Sequence, residues 1–177
     1  MGPANQLIVR QASRADVESI LAFSAAMALE TEGRKLDEAR LREGTLSLLD
    51  SPAHGFFMVA EAPHTNPPQL VGQLMITFEW SDWRNAVFWW VQSVYVAPAW
   101  RRQGVYRLMH DEIVAQAKAD PKVCGIRLYV EQDNRTAQTV YQRVGLTPSV
   151  YKVYEQDFVL SPLGVPKKQR SEVKEVP

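Results

Sequence analysis

The sequence has little that would cross-link it or anchor it in a membrane. Its single cysteine, Cys124, cannot form a disulfide within the chain, and this usage suits a reducing cytoplasm. Charged residues interrupt the apolar ones throughout, so no run approaches the roughly 20 apolar residues that span a bilayer. Residues 1–13 lack the basic segment and apolar segment of a secretory signal. We therefore expect a soluble, cytoplasmic protein.

The chain also lacks an excess of charge of either sign. Lys and Arg together number 20, as do Asp and Glu, which gives a formal net charge of zero. A general nucleic-acid-binding protein usually shows a basic excess, so we expect no nucleic-acid partner. His54, His64 and His110 do not have the spacing of metal ligands, and we expect no metal. Any charged ligand must therefore be met by a local group of side chains.

The 177 residues suffice for one core, and hydrophobic periodicity predicts ten elements in the order β-α-α-β-β-β-α-β-α-β. Three consecutive strands in the middle imply an antiparallel meander in a mixed α/β domain. We place this domain at residues 1–161 and a flexible charged tail at 162–177. The predicted strands are 7–11, 56–60, 70–80, 86–96, 126–131 and 150–160. The predicted helices are 13–31, 37–49, 104–119 and 134–144.

The segment from Ser93 to Met109 is the most informative one. It consists of an apolar strand, a proline, a basic loop with one glycine and an amphipathic helix. Unpaired N–H groups in the first turn of a helix bind phosphate readily. Arg101, Arg102 and Arg107 would add charge-assisted hydrogen bonds, and Gly104 would let the backbone approach the ligand closely. An ordinary strand-to-helix turn with solvated arginines explains the same pattern equally well.

Comparison with known phosphate-binding motifs narrows the choice. The loop lacks the Gly-Lys-Ser/Thr ending of a Walker A motif and two of the three glycines of a dinucleotide fingerprint. Residues 101–106, Arg-Arg-Gln-Gly-Val-Tyr, instead resemble motif A of the GNAT superfamily of N-acetyltransferases, whose core is Arg/Gln-x-x-Gly-x-Gly/Ala. Tyr106 stands where that family usually has Gly or Ala, so its ring must point away from the diphosphate.

Residues 94–98 resemble the family's strand that pairs with the pantetheine arm of acetyl-CoA. The resemblance implies that acetyl-CoA is the acyl donor. It implies cofactor contacts from Val94, Tyr95, Val96, Arg101, Arg102, Gln103, Gly104, Val105, Tyr106, Arg107 and Asn134.

A second match follows in residues 129–146. Asn134, Ala137, Tyr141 and Gly145 resemble motif B, which reads Asn-x-x-Ala-x-x-x-Tyr-x-x-x-Gly-Phe. The resemblance covers about residues 7–160 and implies a mixed, mostly antiparallel sheet flanked by helices. It implies Tyr141 as the general acid for the departing thiolate, because a phenol with a pKa of about 10 is protonated at neutral pH. Asn134 is expected to cap the helix that follows it.

The acceptor side is less clearly marked. Many relatives carry Glu on the strand where this chain has Gln92, which cannot take a proton at neutral pH. The general base therefore lies elsewhere, or water serves instead. The candidates are Glu30, Glu32, Glu79, Asp82 and Glu131, with preference for the first two, although each is also explained as a solvated surface charge. The predicted acceptor-binding residues are Glu30, Glu32, Glu79, Trp80 and Gln92.

Two functions remain open at this point. The first is an N-acetyltransferase that transfers an acetyl group from acetyl-CoA to a primary amine of a small molecule or protein by direct attack in a ternary complex. The second, motivated by Gln92 and Tyr106, is a non-catalytic acyl-CoA-binding sensor or interaction module. The aromatic strands of the middle region resemble the spermidine/spermine N-acetyltransferase branch, without its acidic residue at Gln92. Exposed aromatic strands and the habits of the family predict a homodimer.

Overall fold

The computed structural model describes residues 7–160. The first nine predicted elements are present in the predicted order, with short 3-10 turns at Arg14–Asp16 and Pro98–Trp100. The strands are β1 Ile8–Gln11, β2 Gly55–Ala62, β3 Gln69–Ser81, β4 Ala86–Val96 and β5 Val123–Arg127. The helices are α1 Val17–Glu32, α2 Glu38–Asp50, α3 Val105–Ala119 and α4 Arg135–Arg143.

The strands form one sheet in the order β1-β2-β3-β4-β5. Neighbours from β1 to β4 are antiparallel, whereas β5 runs parallel to β4. The change of direction follows from the connections, because a four-residue turn joins β3 to β4 while α3 carries the chain back before β5. The predicted class, a mixed and mostly antiparallel sheet flanked by helices, is confirmed.

Helices cover both faces of the sheet, and strand alternation decides which side chains they cover. On β2, Met58 belongs to the larger core, which includes Met109 and Ile113 of α3. Its neighbour Phe57 points the other way and packs against Ile20 of α1. Successive strand residues point to opposite faces, so one strand contributes to both cores.

The start of α1 is tied to the sheet through a buried carboxylate. Asp16 accepts hydrogen bonds from the Ser13 amide at 2.7 Å and from two guanidinium nitrogens of Arg10, each at 2.9 Å. The Arg10 Nε also donates to Glu61 on β2 at 2.7 Å. The hydrogen bonds from Arg10, followed by those from Ser13, lower the pKa of Asp16 to about 2 against the cost of burial.

The predicted closing strand over residues 150–160 is wrong. These residues are irregular, and their apolar side chains are exposed, for example Val150 at 92% and Tyr154 at 90%. An alternating sequence fits a pleated, half-buried surface, and no strand within residues 7–160 pairs with it to provide one. The described chain also divides into two compact units at the Leu146–Thr147 bond.

Two further predictions concern the chain boundaries and β5. The strand predicted at 126–131 lies earlier, at Val123–Arg127, because the pairing of Val123 with Val87 of β4 sets its start. The domain boundary at residue 161 stays a prediction, and the predicted tail at 162–177 lies outside the described residues.

Within residues 7–160, none of the helices combines the length and the apolar character needed to cross a bilayer.

Candidate active site

The site begins where β4 and β5 part. Their pairing extends from Val87 and Val123 to Trp90 and Arg127, and there β5 ends while β4 continues to Val96. Beyond Trp90, β4 pairs only with β3 among the described strands. The far edge of residues 91–96 is therefore open, and its backbone groups can bind an extended ligand as a neighbouring strand would.

A β-bulge turns β4 at this opening. Gln73 of β3 lies opposite Tyr95 and Met75 lies opposite Gln92, so two β4 residues, Ser93 and Val94, share the position facing the single residue between them. Ser93 has a φ of 50°, which few non-glycine residues adopt. The buried Gln73 amide supports the bulge, since its Nε2 lies 3.5 Å from the Ser93 carbonyl and 3.0 Å from Ser24 Oγ.

The bulge also reverses the alternation of side chains along β4. Before it, Trp89 and Val91 belong to the core on the α3 side. After it, Val94 and Val96 pack against that core, while Tyr95 faces α1, with its ring centroid 5.3 Å from that of Phe23. Tyr95 can therefore contact a ligand at the open edge only through its backbone.

The first turn of α3 lies just beyond the end of β4. Arg102 and Gly104 have φ values of 64° and 85°, and the resulting turn leads directly into the helix. The first helical hydrogen bond joins Leu108 N to Gly104 O at 3.0 Å, so the amides of residues 105–107 precede the helical ladder. These amides and the positive end of the helix dipole form an anion-binding position.

The side chains of the basic loop have different surroundings. Arg101 donates from Nε to the Val96 carbonyl at 2.9 Å and from a terminal nitrogen to Glu30 at 2.6 Å. Gln103 folds back on the loop by donating to the Ala99 carbonyl at 2.7 Å. Arg102 and Arg107 are exposed and lie at the start of α3. They are the two basic side chains best placed beside the first-turn amides.

The second motif positions a phenol beside α3. Asn134 caps α4 as predicted, because its side-chain oxygen accepts from the Ala137 amide at 3.0 Å. Gly145 follows the helix with a φ of 94°, the left-handed conformation typical of a helix end. The Tyr141 ring meets that of Tyr106 edge-on, with centroids 5.5 Å apart. Burial raises the pKa of both phenols above the usual value.

Tyr106, which replaces the usual small residue of the motif, has its ring in this aromatic contact. The ring also lies 5.8 Å from that of His110, one turn further along α3. The side chain is thus directed along the helix towards α4, as an intact anion site requires.

The structure brings together only some of the predicted acceptor residues. Glu79 accepts from Trp90 Nε1 and, at 2.9 Å, from Arg127. Gln92 lies on the same face and donates to Thr77 Oγ1 at 2.5 Å. Trp80 follows Glu79 in the strand, so it points to the opposite face, where it is 63% exposed.

The remaining acidic candidates lie elsewhere. Glu30 and Glu32 are at the end of α1, where Glu32 lies 3.5 Å from Arg34. Asp82 accepts from the Trp83 amide in the β3–β4 turn, and Glu131 accepts from the Asp133 amide before α4. Within residues 7–160, no three His, Cys, Asp or Glu side chains converge as a metal site requires.

Sequence reasoning missed the contribution of Arg127. This residue occupies the last paired position of β5, at the point where the strands part, and its guanidinium carbon lies 3.6 Å from the Phe88 ring centroid. It neutralises Glu79 across β4. The available signal was one arginine in an otherwise uncharged strand, but the sequence did not show which face it occupied.

Comparisons with known proteins agree with this architecture. A model described as the acetyltransferase (GNAT) family matches residues 20–146. The structure of a possible acetyltransferase from Clostridium difficile 630 is 35% identical, with a TM-score of 0.78 over 88% of this chain and 99% of that one. A search of curated proteins found no match.

Two structures of lower identity share the fold. A predicted acetyltransferase from Clostridium acetobutylicum, solved with acetyl-CoA, is 17% identical, with a TM-score of 0.66 over 85% of this chain and 96% of that one. An integron cassette protein from the mobile metagenome of Cole Harbour Salt Marsh is 21% identical, with a TM-score of 0.73 over 92% and 95% of the respective chains.

Proposed function

Because the chain belongs to the GNAT family of acetyltransferases, we propose that it transfers an acetyl group from acetyl-CoA to a primary amine of a small molecule or protein. The observation that carries this proposal is the open edge of β4 leading to the uncapped first turn of α3. A donor with an amide-containing arm and a diphosphate matches both features. The acetyl-CoA in the Clostridium acetobutylicum relative supports the same donor class.

Each part of the donor has a counterpart in the chain. The pantetheine amides would bond the backbone of Val94 and the amide of Val96, in the manner of an added strand, while the Val96 carbonyl accepts from Arg101. The diphosphate would meet the amides around Gly104, with Arg102 and Arg107 supplying charge. Because Gly104 has no side chain, the diphosphate can approach the backbone closely at this residue.

The reaction we propose is direct attack within a ternary complex. The neutral amine attacks the thioester carbonyl and forms the C–N bond, and a backbone N–H in residues 92–95 stabilises the resulting oxyanion. The C–S bond then breaks as the carbonyl re-forms. The departing thiolate takes a proton from the Tyr141 hydroxyl, which solvent then restores. Burial raises the pKa of Tyr141, so the phenol holds its proton at neutral pH.

The amine must also lose a proton. Gln92 cannot accept one, and the Glu30 carboxylate is a poor base because hydrogen bonds from Tyr95 and Arg101 lower its pKa. We therefore assign this step to water on the Gln92 face of the sheet. The rings of Trp90 and Tyr129, whose centroids are 6.0 Å apart, would border the amine on that face.

The experiment that tests the proposal combines binding with turnover. Calorimetry should show acetyl-CoA binding at micromolar concentrations, and thiol release should follow with at least one member of a panel of primary amines. Gly104→Ala should weaken binding about tenfold, because a residue with a side chain is strained at a φ of 85°. The matched control is Gly44→Ala, whose new methyl group meets nothing within 4 Å.

The outcomes separate the two functions left open by the sequence. Binding with no turnover on the panel would favour the acyl-CoA sensor over the enzyme. No binding at tens of micromolar acetyl-CoA would contradict both. The homodimer stays a prediction, which sedimentation of the full chain can test directly.

A further inference from the structure

Three side chains from separate elements meet beside the donor loop and are not needed for the proposed chemistry. Glu30 lies at the end of α1, Tyr95 near the end of β4 and Arg101 at the start of the loop. The Tyr95 hydroxyl donates to Glu30 Oε1 at 2.8 Å, and Arg101 donates to Glu30 Oε2 at 2.6 Å. We refer to these three residues as the Glu30 brace.

The contacts of Arg101 point back into the protein. Its Nε donates to the Val96 carbonyl at 2.9 Å, and its guanidinium carbon lies 5.2 Å from the centroid of the Tyr95 ring. Hydrogen bonds and a cation–π contact thus direct this planar group towards β4 and α1. Holding the guanidinium there fixes the backbone of Arg101, from which the left-handed turn through Arg102 and Gly104 begins.

The Glu30 carboxylate has both oxygens engaged, one by each partner. Its pKa is lowered, first by the hydrogen bond from Tyr95 and then by that from Arg101. An ionised carboxylate that accepts one hydrogen bond on each oxygen is suited to holding two groups in place. It is poorly suited to accepting a proton from an amine.

We propose that Glu30 and Arg101 are positioning residues, which hold the loop so that the first-turn amides of α3 meet the donor's diphosphate. Neither residue touches the donor or carries a proton in this assignment. The inference rests on the proposed function, since it concerns how the same donor site is kept in shape. It replaces the sequence-based expectation that Arg101 binds the cofactor with its side chain and that Glu30 binds the acceptor.

The test uses Glu30→Gln, Arg101→Gln and the double variant in the full chain. Dissociation constants are measured for acetyl-CoA and for acetyl-pantetheine, which has the same arm and no diphosphate. Each single variant should bind acetyl-CoA up to about fivefold more weakly, in line with the loss of an ion pair whose two side chains are each 42% exposed. The double variant should bind no more weakly than the singles, because either change already releases the loop.

Two contrasts make the result specific. Binding of acetyl-pantetheine should change by less than about twofold, because this ligand does not reach the amides that the brace positions. The matched control is Glu18→Gln, which removes a carboxylate from another arginine pair of α1, with Arg42 at 2.5 Å, and should leave both dissociation constants unchanged. Arg101→Lys tests geometry, since it keeps the charge but loses the planar fork and should still weaken acetyl-CoA binding.

Three results would overturn the proposal. If Glu30→Gln leaves acetyl-CoA binding unchanged or tighter while Arg101→Gln weakens it, Arg101 is a direct diphosphate ligand. If Glu30→Gln lowers kcat at an unchanged dissociation constant and removes the acidic limb of the pH profile, Glu30 is a base. If the wild-type chain binds no acetyl-CoA, the proposed function itself fails, and this inference fails with it.

Discussion

Tyr141→Phe isolates the proton that the proposed reaction gives to the thiolate. The substitution removes one hydroxyl and keeps the ring, whose edge-on contact with Tyr106 at 5.5 Å fixes its orientation. A positioned general acid contributes about 10²- to 10⁴-fold, which corresponds to roughly 2.7–5.5 kcal/mol of barrier. We expect kcat to fall by at least about 100-fold, with the dissociation constant of acetyl-CoA nearly unchanged.

The pH dependence of kcat gives a second, independent readout. An acid works while it is protonated, so its contribution is present below its pKa and is lost as the pH rises through it. Burial raises the pKa of Tyr141 above its ordinary value of 10.0, so the alkaline limb should lie above pH 10. In Tyr141→Phe the alkaline limb should disappear, because the phenol whose deprotonation causes it is absent.

Tyr106→Phe is the informative comparison, because the two half-buried phenols are neighbours whose pKa values are both raised. Rates from single-turnover mixing would separate chemistry from product release. A loss smaller than about tenfold in Tyr141→Phe, or a larger loss in Tyr106→Phe, would refute the assignment of the acid.

Three further predictions concern the base and the fold. If water accepts the amine proton, kcat/KM should rise with pH up to the pKa of each acceptor amine, whereas a plateau at one shared pH would reveal an enzyme base. The pKa of Asp16 is about 2 in the folded chain, against 3.8 for the same group without its partners. Ionised Asp16 therefore adds about 2 kcal/mol to the free energy of unfolding above pH 4, and this contribution is lost as the pH falls towards 2. Urea titration should show that Asp16→Asn loses this dependence. Gly55→Ala should lower the free energy of unfolding by more than about 3 kcal/mol, because its methyl group would lie 1.9 Å from the Ile76 carbonyl oxygen. Gly44→Ala, in α2, should raise the free energy of unfolding by roughly 0.5–1 kcal/mol.

Features encoded in neighbouring residues were predictable. The glycine that precedes α3, the asparagine cap of α4 and the glycine after it are each read within a few residues, and the structure has all three. The Glu30 brace was not predictable in this way, because Glu30 and Arg101 are 71 residues apart and no local pattern links them. The strand expected at 150–160 failed for a related reason, since alternation shows a capacity to pair without supplying the partner.

The bulge at Ser93 shows why the site itself had to be seen in three dimensions. A period of two along β4 would place Val91 and Tyr95 on one face, yet they lie on opposite faces because Ser93 adopts a left-handed conformation. Because of that single reversal, the Tyr95 side chain points to Glu30, whereas the side chains of Val94 and Val96 point towards α3. The residue that most changes the geometry of the donor site is thus a serine with no side-chain role in the proposed chemistry. Its conformation is set by the tertiary pairing with β3, which propensity cannot reveal.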